Sequence, residues 1–238
     1  MQGRNVAVTG GANGLGEAIV RALAAAGAGV AIIDRDAAGA QALADRLGGV
    51  AIAGDIVRRE AAHALFGRAV AALGRIDGLV NAAGVYPRRP LLEITDEDWE
   101  FDVAVNVRGL YHMSVAAVRH MREQGGGRIV NIASIDAFKA HPQNAHYAAT
   151  KAAVVSLTRS FGLECAPAGI LVNGVAPAAI ATERAKASDW LAEHAAHTPL
   201  GRAAEPADIA DLVLFLLSER NRYMVGETVI VSGGMLFA

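Results

Sequence analysis

The chain has 238 residues, 53% of them hydrophobic, with 24 acidic and 22 basic side chains, a formal charge of −2 and a pI near 6.4. That is enough apolar mass for one α/β domain over residues 1–238, and the near-neutral balance offers nothing to nucleic acid or an anionic membrane. The single cysteine, Cys165, excludes an internal disulfide and has no Cys/His cluster around it, so it reads as packing, with no metal site expected.

Residues 4–9 read as a short buried strand, followed by Gly10-Gly11-Ala12-Asn13-Gly14-Leu15-Gly16. An apolar-periodic helix through Ile19, Val20, Leu23 and Ala24 then ends near Gly27. Polar Arg4 and Asn5 open this strand in place of a signal-peptide pattern, and no apolar run approaches a membrane span, which predicts a soluble, cytoplasmic protein. A glycine-rich turn between strand and helix lets backbone approach a pyrophosphate, and the helix start offers unpaired N–H groups and a positive dipole end. The spacing is Gly-x-x-x-Gly-x-Gly, distinct from the commoner Gly-x-Gly-x-x-Gly dinucleotide fingerprint.

The second strand, residues 30–33, runs into Asp34, where an acid can accept bonds from an adenosine ribose. A carboxylate there pairs with two free hydroxyls and repels a 2′-phosphate, so NAD is expected over NADP. Arg35 follows directly and could meet a cofactor phosphate, although a solvated arginine opening a loop fits better, and Asn13 in the turn adds no positive charge.

A third strand, 49–53, closes on Gly54-Asp55-Ile56, and a helix follows through Leu65, Phe66 and Leu73. Residues 77–83 form a fourth strand ending in Asn81-Ala82-Ala83-Gly84. Thr95 caps a long helix predicted to reach about Met121, with Asp96, Glu97 and Asp98 in its first turn. Asn106 lies within it among Val103, Val105, Val107 and Leu110, and a main-chain irregularity there would fit a water site. A fifth strand (128–133), a helix (147–164), a sixth strand (170–175), a helix (206–217) and a seventh strand (228–231) complete the chain. Strands alternating with helices imply a parallel sheet covered on both faces, and ligands bind beyond the carboxyl ends of such strands. The glycine turn, Asp34, Asp55, residues 81–84, Ser134 and Pro177 all fall at such ends.

The most telling pair is Tyr147 and Lys151, four residues apart and so on one helix face, in a chain with only 3 lysines and 4 tyrosines. An ammonium beside a phenol stabilises the phenolate and lowers its pKa toward the range of a general acid or base.

With these motifs in order, the sequence resembles the short-chain dehydrogenase/reductase family over essentially its whole length. The likeness rests on Thr9-Gly10-x-x-x-Gly14-x-Gly16, Asn81-Ala82-Ala83-Gly84, Asn106, Ser134, Tyr147-x-x-x-Lys151 and Pro177. It implies a Rossmann-type, doubly wound α/β fold of seven parallel strands, and hydride transfer between NAD(H) and a secondary alcohol or ketone. Tyr147 would exchange the proton, Ser134 would hold the substrate oxygen, and Lys151 would bind the nicotinamide ribose. Asn106 would anchor a water relaying protons through Lys151. Gly10, Asn13, Gly14, Leu15, Gly16, Asp34, Arg35, Asp55, Ile56, Asn81, Ala82, Gly84, Pro177, Ile180 and Thr182 would surround the cofactor. Where family members commonly carry Pro-Gly after the sixth strand, this chain has Pro177-Ala178. Alanine disfavours positive φ, so a slightly different loop path is expected.

Asp136, His141, Gln143 and His146 lie between Ser134 and Tyr147, and Tyr86, Arg88 and Arg89 follow the fourth strand. Ser134, Asp136, Gln143 and Trp190 are the expected substrate contacts, for a small polar or hydroxylated molecule. Residues 183–200 would form a lid, with Arg202 and Glu205 organising the next helix. The 147–164 helix is apolar on more than one stripe, through Ala149, Ala152, Ala153, Val155, Leu157 and Phe161, so a homotetramer or homodimer is expected. Two other functions fit less well: an NADPH-dependent biosynthetic ketone reductase, which Asp34 disfavours, and a silent nucleotide-sensing scaffold, which the intact Ser134, Tyr147 and Lys151 disfavour.

Overall fold

Side chains along the first strand alternate across a sheet buried on both faces: Val6 and Val8 enter one apolar cluster and Ala7 the other, all fully buried. The protein is described by a computed structural model covering residues 1–188 and 190–237. Its strands are β1 (Asn5–Thr9), β2 (Gly29–Asp34), β3 (Val50–Ala53), β4 (Gly78–Asn81), β5 (Gly127–Ile132), β6 (Ile170–Pro177) and β7 (Thr228–Val231). All pair in parallel in the order β3-β2-β1-β4-β5-β6-β7, the doubly wound arrangement expected. The winding reverses between β1 and β4, and their carboxyl ends open the crevice where this architecture holds ligands.

Helices α1 (Gly14–Ala25), α2 (Ala37–Leu47) and α9 (Pro206–Leu217) cover one face, packing Ile19, Leu23, Leu43, Ile209 and Val213 against Val8, Ile32 and Val130. On the other face α3 (Arg59–Leu73) and α5 (Leu110–Glu123) pack Phe66, Met113 and Met121 against Ile33, Leu79 and Ile129. Beside them α6 (Ala145–Cys165) packs Val154 and Val155 against Ala133 and Ala176. Cys165 is buried and unpaired, in packing as expected. No helix among the described residues is long and apolar enough to cross a membrane.

Four features differ from the sequence expectation. Helix α2 was not anticipated, although its signals are present: Asp36 caps it by accepting from Gly39 N–H at 2.9 Å, and Gly48 ends it at φ 67°. The long helix predicted from Thr95 is α4 (Asp96–Asp102), a π-helical segment Val103–Gly109, and then α5. Strand β4 stops at Asn81, short of 83, whereas β6 runs past 175 because Ala176 and Pro177 pair with Ile230 and Val231. Ala178 keeps a negative φ, since Gln143 is the only non-glycine residue with positive φ among those described, and its N–H donates to Val231 C=O at 3.0 Å.

Leu23, fully buried between β1 and α9, tests the core directly. Leu23→Ala should cost about 2–5 kcal/mol in urea unfolding. A loss near zero would mean that this face is not the packed core.

Candidate active site

The crevice is built on backbone meeting backbone. Gly10, at φ 66°, ends β1 so close to the loop after β4 that a Cβ would lie 2.6 Å from Ala83 Cα. A Cβ on Gly16 would overlap the Gly10 carbonyl oxygen. Only glycine at both positions lets α1 start directly beneath the turn, leaving its first N–H groups facing the cleft. Asp34 locks the turn from β2: its Oδ2 accepts from Ala12 N–H at 3.0 Å and its Oδ1 from Asp36 N–H at 3.0 Å. Arg35 lies 3.9 Å from Asp55, both half exposed or more, so its guanidinium leans toward a carboxylate across the cleft edge.

A continuous cleft of about 1250 Å3 runs from this turn over the strand ends to Tyr147. Gly10, Asn13, Gly14, Leu15, Gly16, Asp34, Arg35, Asp55, Ile56, Ala82 and Gly84 line one part of it, and Ser134, Tyr147, Lys151, Pro177, Ile180 and Thr182 another. Thr182 caps α7 (Glu183–Lys186) through Ala185 N–H at 3.3 Å and faces Gly14 across the cleft.

Two expected cofactor-path or catalytic residues turn inward. The Asn81 amide donates to Ser114 Oγ at 3.0 Å and Asn131 Oδ1 at 2.9 Å, and Asn131 continues to Thr158 at 2.9 Å. This chain ties β4, β5, α5 and α6 together, and Asn81 does not line the cleft. Asn106, 1% exposed in the π-helical segment, accepts from Val85 N–H and donates to Val85 C=O, each at 2.9 Å, and donates to Thr150 Oγ1 at 3.1 Å. Its amide is committed to holding the Gly84–Val85 turn and, through Thr150, the Tyr147 carbonyl at 2.7 Å. Its side chain therefore lies behind the cleft wall.

Ser134 caps the short turn after β5 by accepting from Asp136 N–H at 3.1 Å. Lys151, 6% exposed, donates to the Ile132 carbonyl at 2.8 Å, with its Nζ 5.6 Å from the Tyr147 ring centre. Burial pulls the Lys151 ammonium down to about 8, against the pull of the Asp102 carboxylate. The expectation of a phenol lowered by its neighbouring cation is not met in this arrangement. Burial pushes Tyr147 above its ordinary value, the Ser134 hydroxyl pulls it down, and Asp136, Tyr86 and Asp102 push it up further. The neutral phenol, a proton donor, is the favoured form.

Around Tyr147 the walls are polar and aromatic. Tyr86 stands edge-on to it at 6.4 Å, with Arg184 over the Tyr86 ring at 5.3 Å. Asp136, its carboxyl raised by burial, accepts from Asn144 at 2.6 Å. In α8 (Trp190–His197), Trp190 carries Arg88 over its ring at 5.2 Å and meets His194, which reaches His141 at 5.5 Å. Ser134, Asp136 and Trp190 are therefore at the cleft as expected, but Gln143 is exposed and outside it. Its φ of 60° turns the loop so that its neighbour Asn144 faces inward, and Asn144 was missed. His146 is also not at the cleft; it is fully buried against Asp102. Asp189, within the expected 183–200 lid, lies outside the described residues. Arg202 pairs with Asp208, and Glu205 forms a capping box at the start of α9, as expected for helix organisers.

A family model described as Enoyl-(Acyl carrier protein) reductase matches residues 10–236. The chain is 35% identical to a 3-oxoacyl-[acyl-carrier-protein] reductase of Vibrio harveyi, over 99% of this chain and 98% of that protein. The chain belongs to the short-chain dehydrogenase/reductase family. It is similar at 37% identity to an L-rhamnose 1-dehydrogenase (NAD(P)(+)) of Azotobacter vinelandii, covering 98% and 96% of the two chains. A D-threitol dehydrogenase of Mycolicibacterium smegmatis is also 37% identical, covering 98% and 93%. Among solved structures of this family, a 3-ketoacyl-(acyl-carrier-protein) reductase from Brucella melitensis complexed with NADH superposes with a TM-score of 0.92 at 33% identity, over 98% of each chain.

The Gly16 contact makes the turn testable. Gly16→Ala must displace the Gly10 carbonyl and should cost about 1–3 kcal/mol in thermal or urea unfolding, with weakened dinucleotide binding by fluorescence titration. Native stability and binding in this variant would contradict the described backbone approach.

Proposed function

We propose that the protein is an NAD-dependent oxidoreductase acting on a secondary alcohol or the corresponding ketone, with a small, polar, hydroxylated substrate. The observation that carries this reading is the placing of Ser134, Tyr147 and Lys151 along one cleft with the glycine turn and Asp34. A dinucleotide fits: the cleft volume of about 1250 Å3 exceeds what one small ligand needs, and the Gly14 position opens onto the cleft with only Thr182 nearby. A bound nicotinamide supplies or accepts the hydride.

In carbonyl reduction, Ser134 donates a hydrogen bond to the substrate oxygen and the Tyr147 hydroxyl gives it a proton; alcohol oxidation runs the same transfers backwards. Burial keeps Tyr147 protonated for the reductive direction, while Lys151, held at about 8, changes charge close to neutral pH. Asn106 and Thr150 hold the first turn of α6 so that the phenol stays in register. NAD is favoured because Asp34 stands where a ribose would lie, and because Arg35 leans toward Asp55. Asp136, His141, Asn144 and His194 give the substrate end polar partners, in keeping with relatives named for L-rhamnose and D-threitol. Helices α7 and α8 form the lid over it.

The second reading is an NADPH-dependent biosynthetic ketone reductase, favoured by the relative named 3-oxoacyl-[acyl-carrier-protein] reductase. We further propose a cytoplasmic homotetramer or homodimer associating through the outer face of α6, where Ala149 and Ala152 are exposed and Phe161 half-buried.

Absorbance assays with NADH and NADPH against alcohols, polyols, sugars and a 3-oxoacyl thioester should show at least about tenfold higher kcat/KM with NADH. They should also show turnover of a polyhydroxylated substrate; preference for NADPH and the thioester would replace this reading by the second. Tyr147→Phe should lower kcat by about 10²–10⁴ with NADH binding retained. Full activity in that variant would remove Tyr147 from the chemistry.

A further inference from the structure

Asp102, the last residue of α4, and His146, in the first turn of α6 directly before Tyr147, are both 0% exposed. His146 Nε2 lies 3.6 Å from Asp102 Oδ2, and neither carboxylate oxygen nor either ring nitrogen has a hydrogen-bond partner among the described residues. Two apolar residues would fill this space at less cost, because an unsatisfied buried acid is destabilising and an isolated buried ion pair rarely repays its desolvation. His146 directly precedes Tyr147 in the first turn of α6, the helix that also carries Lys151, and Asp102 meets that turn from the end of α4. We propose that Asp102 and His146 are a positioning pair for the reaction, set at the start of α6 so that the buried Asp102 carboxylate acts on both Tyr147 and Lys151.

The groups facing this pair are few. Asp98 acts on Asp102 from its own helix, and His146 and Lys151 act on it from α6. The π-helical segment carries the neutral Asn106 and one charged residue, Arg108, which pairs with Glu100 at 3.4 Å. On the cleft side, Asp136 and Tyr86 also act on Tyr147. Burial pushes the Asp102 carboxyl up to about 6, so it changes charge just below neutrality. Once ionised, it favours the ammonium of Lys151 and disfavours the phenolate of Tyr147, and both groups lose their protons at higher pH. Because the two influences have the same sign, removing the charge must move both transitions toward acid.

The inference rests on the reading of Tyr147 and Lys151 as the acid–base pair, but it can be measured without turnover. In the full chain labelled with [13Cε]lysine, the three lysines give three resonances, and Lys139 and Lys186 are exposed. Lys151 should titrate near 8 in the native protein. In Asp102→Asn its midpoint should fall by about half a unit or more, roughly a threefold change in ammonium fraction at fixed pH, and the pH profile of kcat/KM should move the same way. The double variant Asp102→Asn, His146→Gln keeps the volume and should show the same shift if the single variant does not fold. A midpoint within about 0.2 unit of native in either folded variant overturns the proposal, whatever happens to kcat. Failure of both variants to fold also overturns it, by making the pair a requirement of the fold. A moved midpoint in a protein without NAD(P)H-linked turnover would sink the proposed reaction and leave the electrostatic coupling standing; an unmoved midpoint in an active enzyme would sink the coupling alone.

Discussion

Everything in the cleft depends on how closely β1 and β4 bring their outgoing chains together. The Gly10 N–H donates to Ile33 C=O at 2.8 Å, tying the turn to β2, while the bare Cα of Gly10 rests against Ala83. Gly16 brings α1 up under the same carbonyl. With backbone at van der Waals distance on three sides, the turn has no side chain to retract and no slack to take up. The helix start must therefore face the crevice, and the rest of the site is arranged around that fixed point.

Burial sets the protonation states here more than direct pairing does. It raises Tyr147, Asp136 and Asp102 and lowers Lys151, in each case as the largest influence. In water an ammonium four residues along a helix would be the main influence on a phenol. In this interior the ammonium is turned to the Ile132 carbonyl, and burial shifts both groups toward their neutral forms. The charges that then matter are the few that are also buried, and Asp102 is the one that acts on both members of the pair.

The sheet was legible because apolar runs bounded by glycine and acid recur at strand spacing, but strand ends were not. Their limits are decided by neighbours: β4 ends where the close approach of Gly10 begins, and β6 continues because β7 is there to pair with it. Helix α2 escaped notice because its alanine-rich run carries only a weak apolar stripe, although Asp36 and Gly48 mark both ends. At the cleft, the placing of Gly10, Gly16, Asp34, Ser134, Tyr147 and Lys151 could be read because it follows from strand ends and one helix face. Asn81 and Asn106 share that placing, yet an amide can turn toward either side of a wall, and here both are drawn inward by buried partners. Gln143 and Asn144 differ by one residue and one positive φ, which nothing in their side chains announces. The meeting of Asp102 with His146 joins two helices far apart in the chain, a tertiary fact that local pattern does not carry.

Asp34 joins the proposed cofactor choice to the fold. Its two oxygens already accept from Ala12 and Asp36, so the carboxylate that would meet a ribose is also a strut of the glycine turn. Acceptor positions remain at the cleft, because a carboxylate has about four and two are used. Being pinned by two backbone donors, the acid meets a ligand already oriented, with little side-chain entropy left to lose. A neutral replacement at this position would relax the proposed preference for free hydroxyls and at the same time loosen Ala12, which Asp34 holds at 3.0 Å beside the start of α1. If Asp34 selects the cofactor as proposed, that selectivity is a by-product of how β2 holds β1's turn, and a change in one is a change in the other.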